Sequence, residues 1–266
     1  MLQVARVGEM ARNLPRPLAG SALLYIPWKG GVVVASDVHV GLARQEGQAS
    51  GPEAGSPESL ARMIIDGAAT SKAKHVLLLG DVKEPIVGAP RHVRREVGEF
   101  FWHLQAAGLD VEVCPGNHDV GLKGMVSPSV VIHPTGGKLY GTVGLFHGHA
   151  WPSADILEQA RTLVVGHLHP GLRLAQGKAR CWVRASLPAR RYRAPKPSNR
   201  PDSVLETRVT EVIVVPALNP MCSNESLNQE KPRRGRSFLV RRFLSSGEVR
   251  AYLLDGTDMG RLDLSP

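Results

Sequence analysis

The chain has 266 residues, 42% of them hydrophobic, which is enough to bury one sizeable core and too apolar for an intrinsically disordered chain. A formal charge of +9 and a pI near 9.8 favour polyanionic partners: nucleic acid, phosphorylated substrates or acidic surfaces. Cys114, Cys181 and Cys222 are too widely spaced for a zinc ribbon or a CxxC redox motif, and their odd number points to a reducing compartment. The first residues, MLQVARVGEMARNLPRP, lack a continuous apolar stretch, and no run approaches the roughly 20 apolar residues of a membrane helix. The expectation is a single domain over residues 1–266, soluble, cytoplasmic and without a membrane partner.

In chain order, short apolar runs recur and end in small or polar residues. Gly31–Ala35 (GVVVA) runs into Ser36-Asp37, and His75–Leu79 (HVLLL) into Gly80-Asp81. Leu109–Val113 (LDVEV) leads to Pro115-Gly116-Asn117, Val143–Phe146 (VGLF) to His147, and Thr162–Val165 (TLVV) to Gly166-His167. The first, second and fifth read as strands buried on both faces. Helical periodicity lies between them. Pro57–Thr70 sets Leu60, Ile64 and Ala68 on one face; Arg91–Ala107 sets Val93, Val97, Phe100, Phe101 and Leu104 on another, with Gly108 as a C-terminal stop. Strand, helix, strand at this spacing predicts βαβ units and an α/β sheet.

Beyond Gly171 the pattern changes. Lys178–Arg184 alternates as a strand, and Leu187–Asp202 (LPARRYRAPKPSNRPD) reads as a basic loop. Thr210–Pro216 returns to strand, and Pro220–Arg236 reads as a second basic loop. Ser237–Phe243 and Glu248–Leu254 alternate, with Gly247 suggesting a hairpin between them.

Each run in the first part ends in groups able to bind metal: Asp37-x-His39, Gly80-Asp81, Gly116-Asn117-His118-Asp119, His147-Gly148-His149 and Gly166-His167-Leu168-His169. Ligands of open α/β sheets gather outside the carboxyl ends of the strands, so the five groups should converge at one edge. Imidazole and carboxylate suit Mn, Fe, Zn, Ni or Co, and no cysteine stands in the set. In the D-x-H and H-x-H pairs, a two-residue step on extended chain would send both side chains the same way. Glycines at 80, 116, 148 and 166 fall where backbone must come close to the site. Taken singly, Asp-x-His is a weak signal and GNHD could be a turn; five in order, each after an apolar strand, carry the reading.

The ordered motifs D-x-H, G-D, G-N-H-D, H-G-H and G-H-x-H resemble those of the calcineurin-like metallophosphoesterase superfamily over residues 31–170. The segments Val214–Pro220 and Leu253–Thr257 extend the likeness to the archaeal and bacterial branch that includes the phosphoesterase associated with a DNA ligase and a helicase. The resemblance implies an α/β (α+β) four-layer sandwich, two mixed β-sheets packed face to face with helices outside. It implies two divalent metal ions, manganese foremost, with Fe, Zn, Ni, Co or Mg as alternatives. Asp37, His39 and His169 would hold one metal, Asn117, His147 and His167 the other, and Asp81 would bridge them. His118 would contact the phosphate and protonate the leaving group, with Asp119 orienting it; His149 would stand behind the metal or compete with His147. The activity implied is hydrolysis of a phosphate ester by a metal-bridging hydroxide. Residues Gly41–Gly47 depart from the related pattern by lacking an aromatic residue followed by Glu near Leu42, leaving substrate contacts there open.

Substrate class rests on charge. Arg184, Arg190, Arg191, Arg193, Lys196 and Arg200 form one basic group, and Lys231, Arg233, Arg234, Arg236, Arg241 and Arg242 another. With Trp182 and Tyr192 available to stack on bases, they favour a phosphodiesterase or nuclease acting on DNA or RNA. A phosphatase or phosphodiesterase acting on a small molecule such as a nucleotide is the alternative, and a non-catalytic binding subunit a third reading.

Overall fold

A computed structural model of the chain describes residues 14–42, 54–188, 207–229, 243–244 and 247–264. The first sheet contains, in spatial order, β1 (Arg16–Pro17), β2 (Leu24–Ile26), β3 (Val32–Ala35), β4 (His75–Leu78), β5 (Asp110–Val113) and β6 (Val131–Ile132). From β3 to β6 the strands are parallel, as βαβ connections require. Helices α1 (Pro57–Ser71) and α2 (Arg91–Ala106) make the first two crossovers. Ser56 starts α1 by accepting a bond from the Ser59 N–H, the N-terminal cap of a helix entered through Pro57.

The second sheet is mixed. It is built on β8 (Val143–Phe146), β9 (Thr162–Val165) and β12 (Glu211–Val214), which run parallel. It is flanked by β7 (Lys138–Tyr140) on one side and by the long β11 (Gly177–Ser186) on the other. The far half of β11 pairs with β14 (Glu248–Leu253), and its first residues with β10 (Pro170–Leu174). The two-residue β13 (Glu225–Ser226) closes that edge against β10.

Period-two alternation shows which face each residue serves. In β3, Val33 and Ala35 pack with α1 and α2, while Val32 and Val34 face the second sheet. In β4, Val76 and Leu78 face the helices, while Leu77 and, just past the strand, Leu79 face the other sheet. In β9, Leu163 and Val165 face outward to helix α3 (Ala154–Gln159), and Val164 faces inward. The layers are therefore helices, sheet, sheet, helix, the four-layer sandwich expected. Leu60, Ile64 and Ala68 of α1, and Val93, Val97, Phe100, Phe101 and Leu104 of α2, are the buried faces expected.

Three expectations change. Trp182 is 1% exposed in the layer between the sheets, its indole N–H bonded to the Ser21 carbonyl, so it packs the core and is closed to any base. Arg184 pairs with Glu211 rather than standing free. The strand Glu248–Leu253 makes its hairpin with β15 (Asp258–Leu262) through a turn at Gly256; most of Ser237–Phe243 lies outside the described residues. So do Ala43–Gly47, Arg190, Arg191, Tyr192, Arg193, Lys196, Arg200, Lys231, Arg233, Arg234, Arg236, Arg241 and Arg242.

Candidate metal centre

Parallel register places the ligand candidates together. Ala35 lies opposite Leu78 and Leu78 opposite Val113, so Asp37, Asp81 and Asn117 leave the first sheet side by side. Phe146 lies opposite Val165 and Val165 opposite Val214, so His147 and His167 leave the second sheet the same way.

Asp81 lies at the middle. Its Oδ2 is 3.2 Å from His147 Nε2 and 3.9 Å from both His39 Nε2 and His118 Nε2. Its Oδ1 accepts the His118 backbone N–H at 2.9 Å, which fixes the turn that carries Asn117. Asp37 Oδ1 is 3.2 Å from His169 Nε2, and its Oδ2 accepts the Ser36 hydroxyl at 2.7 Å and the His167 N–H at 3.0 Å. Of four sets of groups close enough to hold an ion among the described residues, two contain these carboxylates: Asp37, His39 and Asp81, and Asp81, His147 and His167. They share Asp81.

Ring nitrogens face ring nitrogens here. His39 Nε2 is 3.3 Å from His169 Nε2, and His147 Nε2 is 3.2 Å from His167 Nδ1. The Nδ1–H of His147 donates to the Leu79 carbonyl at 2.8 Å, and that of His169 to the Ser223 carbonyl at 3.2 Å. In the neutral rings this leaves each Nε2 as an acceptor aimed inward, the pattern by which a backbone carbonyl orients a histidine toward a metal. Asn117 Oδ1 is buried without a partner. Imidazole nitrogens crowded against one another and against two carboxylates, with an orphaned amide oxygen beside them, are a donor set that a cation would satisfy, so the residues fit divalent metals.

In the metal-free protein, protons on the imidazoles take over part of the role of a cation. Burial alone would raise both carboxyls, but the His169 bond and the charges of His169 and His147 bring Asp37 below the usual carboxylate range. The bond and charge of His147, with the His118 N–H, do the same for Asp81. Burial would lower His147, yet its bond to Asp81 and the charges of Asp37 and Asp81 raise it to about 9. Burial and the His147 charge bring His167 down to about 4. His149 lies beside this pair, its ring 5.3 Å from that of His147 and its Nδ1 buried without a partner; burial lowers its pKa.

The backbone differs from the extended D-x-H and H-x-H steps expected. Asp37, His39, Asp81, His167 and His169 all have positive φ, between 45° and 67°, a left-handed conformation that non-glycine residues adopt at a cost. Both members of the Asp37-x-His39 and His167-x-His169 pairs reach the site through strained turns, whereas between His147 and His149 it is Gly148, at φ 116°, that takes the positive-φ conformation. Two of the expected glycines explain how the turns fit: a Cβ on Gly80 would lie 2.3 Å from His147 Nδ1, and one on Gly116 2.1 Å from Asp81 Oδ1.

Asp119 does not touch the His118 ring. Its Oδ1 accepts the Val82 N–H and its Oδ2 the Gly116 N–H, each at 2.8 Å, so it ties the Asp81 turn to the Asn117 turn. The His118 Nδ1–H meets the Glu84 carbonyl oxygen instead. Sequence reading also missed two buried neighbours. Asn219 donates its amide to the Val38 and His39 carbonyls at 3.0 and 3.3 Å. Cys222 lies with His39 and His169, its thiol pushed up by burial and by the Asp37 charge. Asn219 belongs to the Pro216–Pro220 segment, so a strand followed by Asn was the available signal; for Cys222 there was none.

No protein-family model and no curated protein matches the chain. Among solved structures, the nuclease MPE of Pseudomonas putida superposes with a TM-score of 0.53 at 15% identity, covering 91% of this chain and 98% of that one. The phosphoesterase Yfce of E. coli covers 88% of this chain and 99% of its own at 14% identity, with a looser TM-score of 0.36. The similarity to the first is one of fold: two mixed sheets face to face, helices outside, along nearly the whole length of both chains.

Proposed function

We propose that this chain is a two-metal phosphoesterase that hydrolyses nucleic-acid phosphodiesters. One observation carries the chemistry: the carboxylates of Asp37 and Asp81 and the imidazoles of His39, His147, His167 and His169, from separate strand ends of both sheets, converge with their acceptor atoms facing one another. Asp37, His39 and His169 would hold one metal, Asn117, His147 and His167 the other, with Asp81 shared. Metals so held would supply positive charge against the phosphate oxygens and bring the pKa of water toward neutrality. Manganese suits this oxygen and imidazole set.

The chain's own groups do the rest. His118 keeps its Nδ1 proton on the Glu84 carbonyl, so Nε2 is the nitrogen turned to the site, 3.9 Å from Asp81 Oδ2. There the imidazolium form would give its Nε2 proton to the departing oxygen and be left as the neutral ring with the Nδ1 proton still on the Glu84 carbonyl. Asp119 holds the two turns that carry Asp81 and His118 in register. The net charge of +9 and a shared fold with a nuclease support a polyanionic substrate. A cytoplasmic location and a helicase or ligase partner belong to the same proposal.

The test is hydrolysis of bis-p-nitrophenyl phosphate and of a labelled single-stranded oligonucleotide by metal-stripped protein reloaded with manganese, with Asp81→Asn as control. Cleavage of both, lost in the control, is the expected result. Cleavage of the small diester alone would move the substrate to a small molecule; cleavage of neither diester would refute the proposal.

A further inference from the structure

The segment directly after Asp81, Val82–Pro85, touches the site twice through one residue. Glu84 Oε2 lies 2.6 Å from His39 Nδ1, and the Glu84 carbonyl oxygen meets His118 Nδ1. The two imidazoles stand edge to face with ring centroids 4.9 Å apart. His39, Glu84 and His118 thus form a compact group beside the shared carboxylate.

We propose that Glu84 is the positioning residue of the site: its carboxylate fixes His39 as a metal ligand through Nε2, and its carbonyl turns His118 Nε2 toward the substrate. The inference rests on the metal reading above. His147 and His169 have a backbone carbonyl at Nδ1, that of Leu79 for the first and of Ser223 for the second. His39 has a carboxylate there, the stronger orienting partner, because a charged acceptor also raises the basicity of the nitrogen opposite. The contact is close without being aligned as a hydrogen bond, since His39 Nδ1 has no partner at hydrogen-bonding geometry. Such contacts commonly straighten when the site is loaded.

The segment is built to hold this position. Glu84 N–H donates to the Val40 carbonyl at 3.0 Å, and Val40 N–H donates to the Val82 carbonyl at 2.8 Å, tying it to the His39 turn. The Lys83 ammonium, on a fully buried side chain, closes onto the Pro85 carbonyl. Asp119 accepts the Val82 N–H at 2.8 Å. Glu84 belongs to none of the three apolar clusters, so replacing it removes the carboxylate without emptying the hydrophobic core.

Glu84→Ala and Glu84→Gln separate orientation from folding. In metal-free full-length protein with 15N-labelled histidine, long-range 1H–15N spectra report the tautomer of each ring. Wild type should show His39 as the Nδ1–H form; Glu84→Ala should mix the two forms, and Glu84→Gln, whose amide oxygen still accepts, should restore the first. Manganese titration followed by the electron paramagnetic resonance of the free ion should show Glu84→Ala binding about 10–100-fold more weakly and Glu84→Gln nearer wild type. Wild-type protein that binds no metal would sink the metal centre itself, and this assignment with it. Wild type that binds metal, with Glu84→Ala equal to it in affinity and tautomer, would overturn the role of Glu84 and leave the centre standing.

Discussion

Replacing Gly116 with alanine should disable the site while leaving the fold intact. The added methyl would lie 2.1 Å from Asp81 Oδ1 and 2.4 Å from the Asp81 backbone nitrogen. Ordinary carbon–oxygen approach is about 3.3–3.6 Å, so Asp81 or the Asn117 turn must move by about 1 Å. The backbone nitrogen among the obstacles excludes relief by a rotamer change. Gly116 is not at positive φ, so the effect isolates this collision from backbone strain. A displacement of about 1 Å in a catalytic constellation costs on the order of 100-fold, close to 2.7 kcal/mol of activation free energy. Asp81 is shared between both candidate ligand sets, so metal affinity should fall with the rate. The assay is manganese-dependent diester hydrolysis, with metal content and a thermal melt on the same sample. Gly98→Ala is the control: it sits within α2 with no atom within 4 Å of the new methyl, and alanine there should stabilise by about 0.5–1 kcal/mol. Gly116→Ala at wild-type rate and metal content would refute the argument.

Three further outcomes follow from the same geometry. Trp182→Ala should cost about 3–5 kcal/mol of stability by emptying the layer between the sheets, read in a denaturant titration; unchanged stability would contradict its core position. Asp119→Ala leaves the buried Val82 and Gly116 N–H groups without their acceptor and should destabilise by about 1.5–3 kcal/mol without changing the tautomer of His118, which rests on Glu84. Metal binding should release protons. In the metal-free protein His147 is raised to about 9, above its ordinary value, so its proton stabilises the fold fully below about 6.5 and this stabilisation is lost as pH rises through 9. His167, held down to about 4, contributes in the opposite sense: its share is complete above about 6.5 and is lost as pH falls toward 4. At neutral pH His147 must therefore give up its proton and His167 need not. Apparent manganese affinity should rise by about tenfold per pH unit from 7 to 9, with about one proton released per chain, measured by calorimetry in two buffers of different ionisation enthalpy. A pH-independent affinity would argue against His147 as a ligand.

Much of this was legible because it is written locally. Val33 and Val34, or Leu77 and Leu78, show by alternation that both faces of a strand are buried, and parallel strands then oblige Asp37, Asp81 and Asn117 to share an edge. The helix faces of α1 and α2 follow from periodicity in the same way. What was missed is decided between distant segments. Trp182 sits in a strand beside a basic stretch, and nothing local shows that the first sheet closes over it through Ser21. The partner of Glu248–Leu253 is chosen by the turn at Gly256 rather than by the nearer glycine at 247. Strands β1 and β2 are short, and their identity comes from the neighbours that pair with them. The family resemblance implies Asp119 as the partner of His118, yet its carboxylate goes to backbone 37 residues away at Val82.

The strained turns bind these observations together. Among the described residues, seven non-glycine residues have positive φ, and five of them are Asp37, His39, Asp81, His167 and His169. Each such conformation costs about 1–3 kcal/mol and persists only where surroundings enforce it. For the first turn the enforcing group is Asn219, fully buried, whose amide holds the carbonyls of Val38 and His39, while the Leu218 N–H holds that of Ser36 at 2.8 Å. Asn219→Ala would withdraw a donor from two carbonyls in the core and cost about 1–3 kcal/mol. It should also free Asp37 and His39 to leave the left-handed region, so metal affinity should fall although no ligand has been changed. Asn219→Asp, which cannot donate to those carbonyls, should behave as badly or worse. A thermal melt with and without manganese reads both effects. If Asn219→Ala lowered stability but kept the full manganese-dependent rise in Tm, the turn would be holding its shape by itself, and the strain at Asp37 and His39 would have no part in presenting them to the metal.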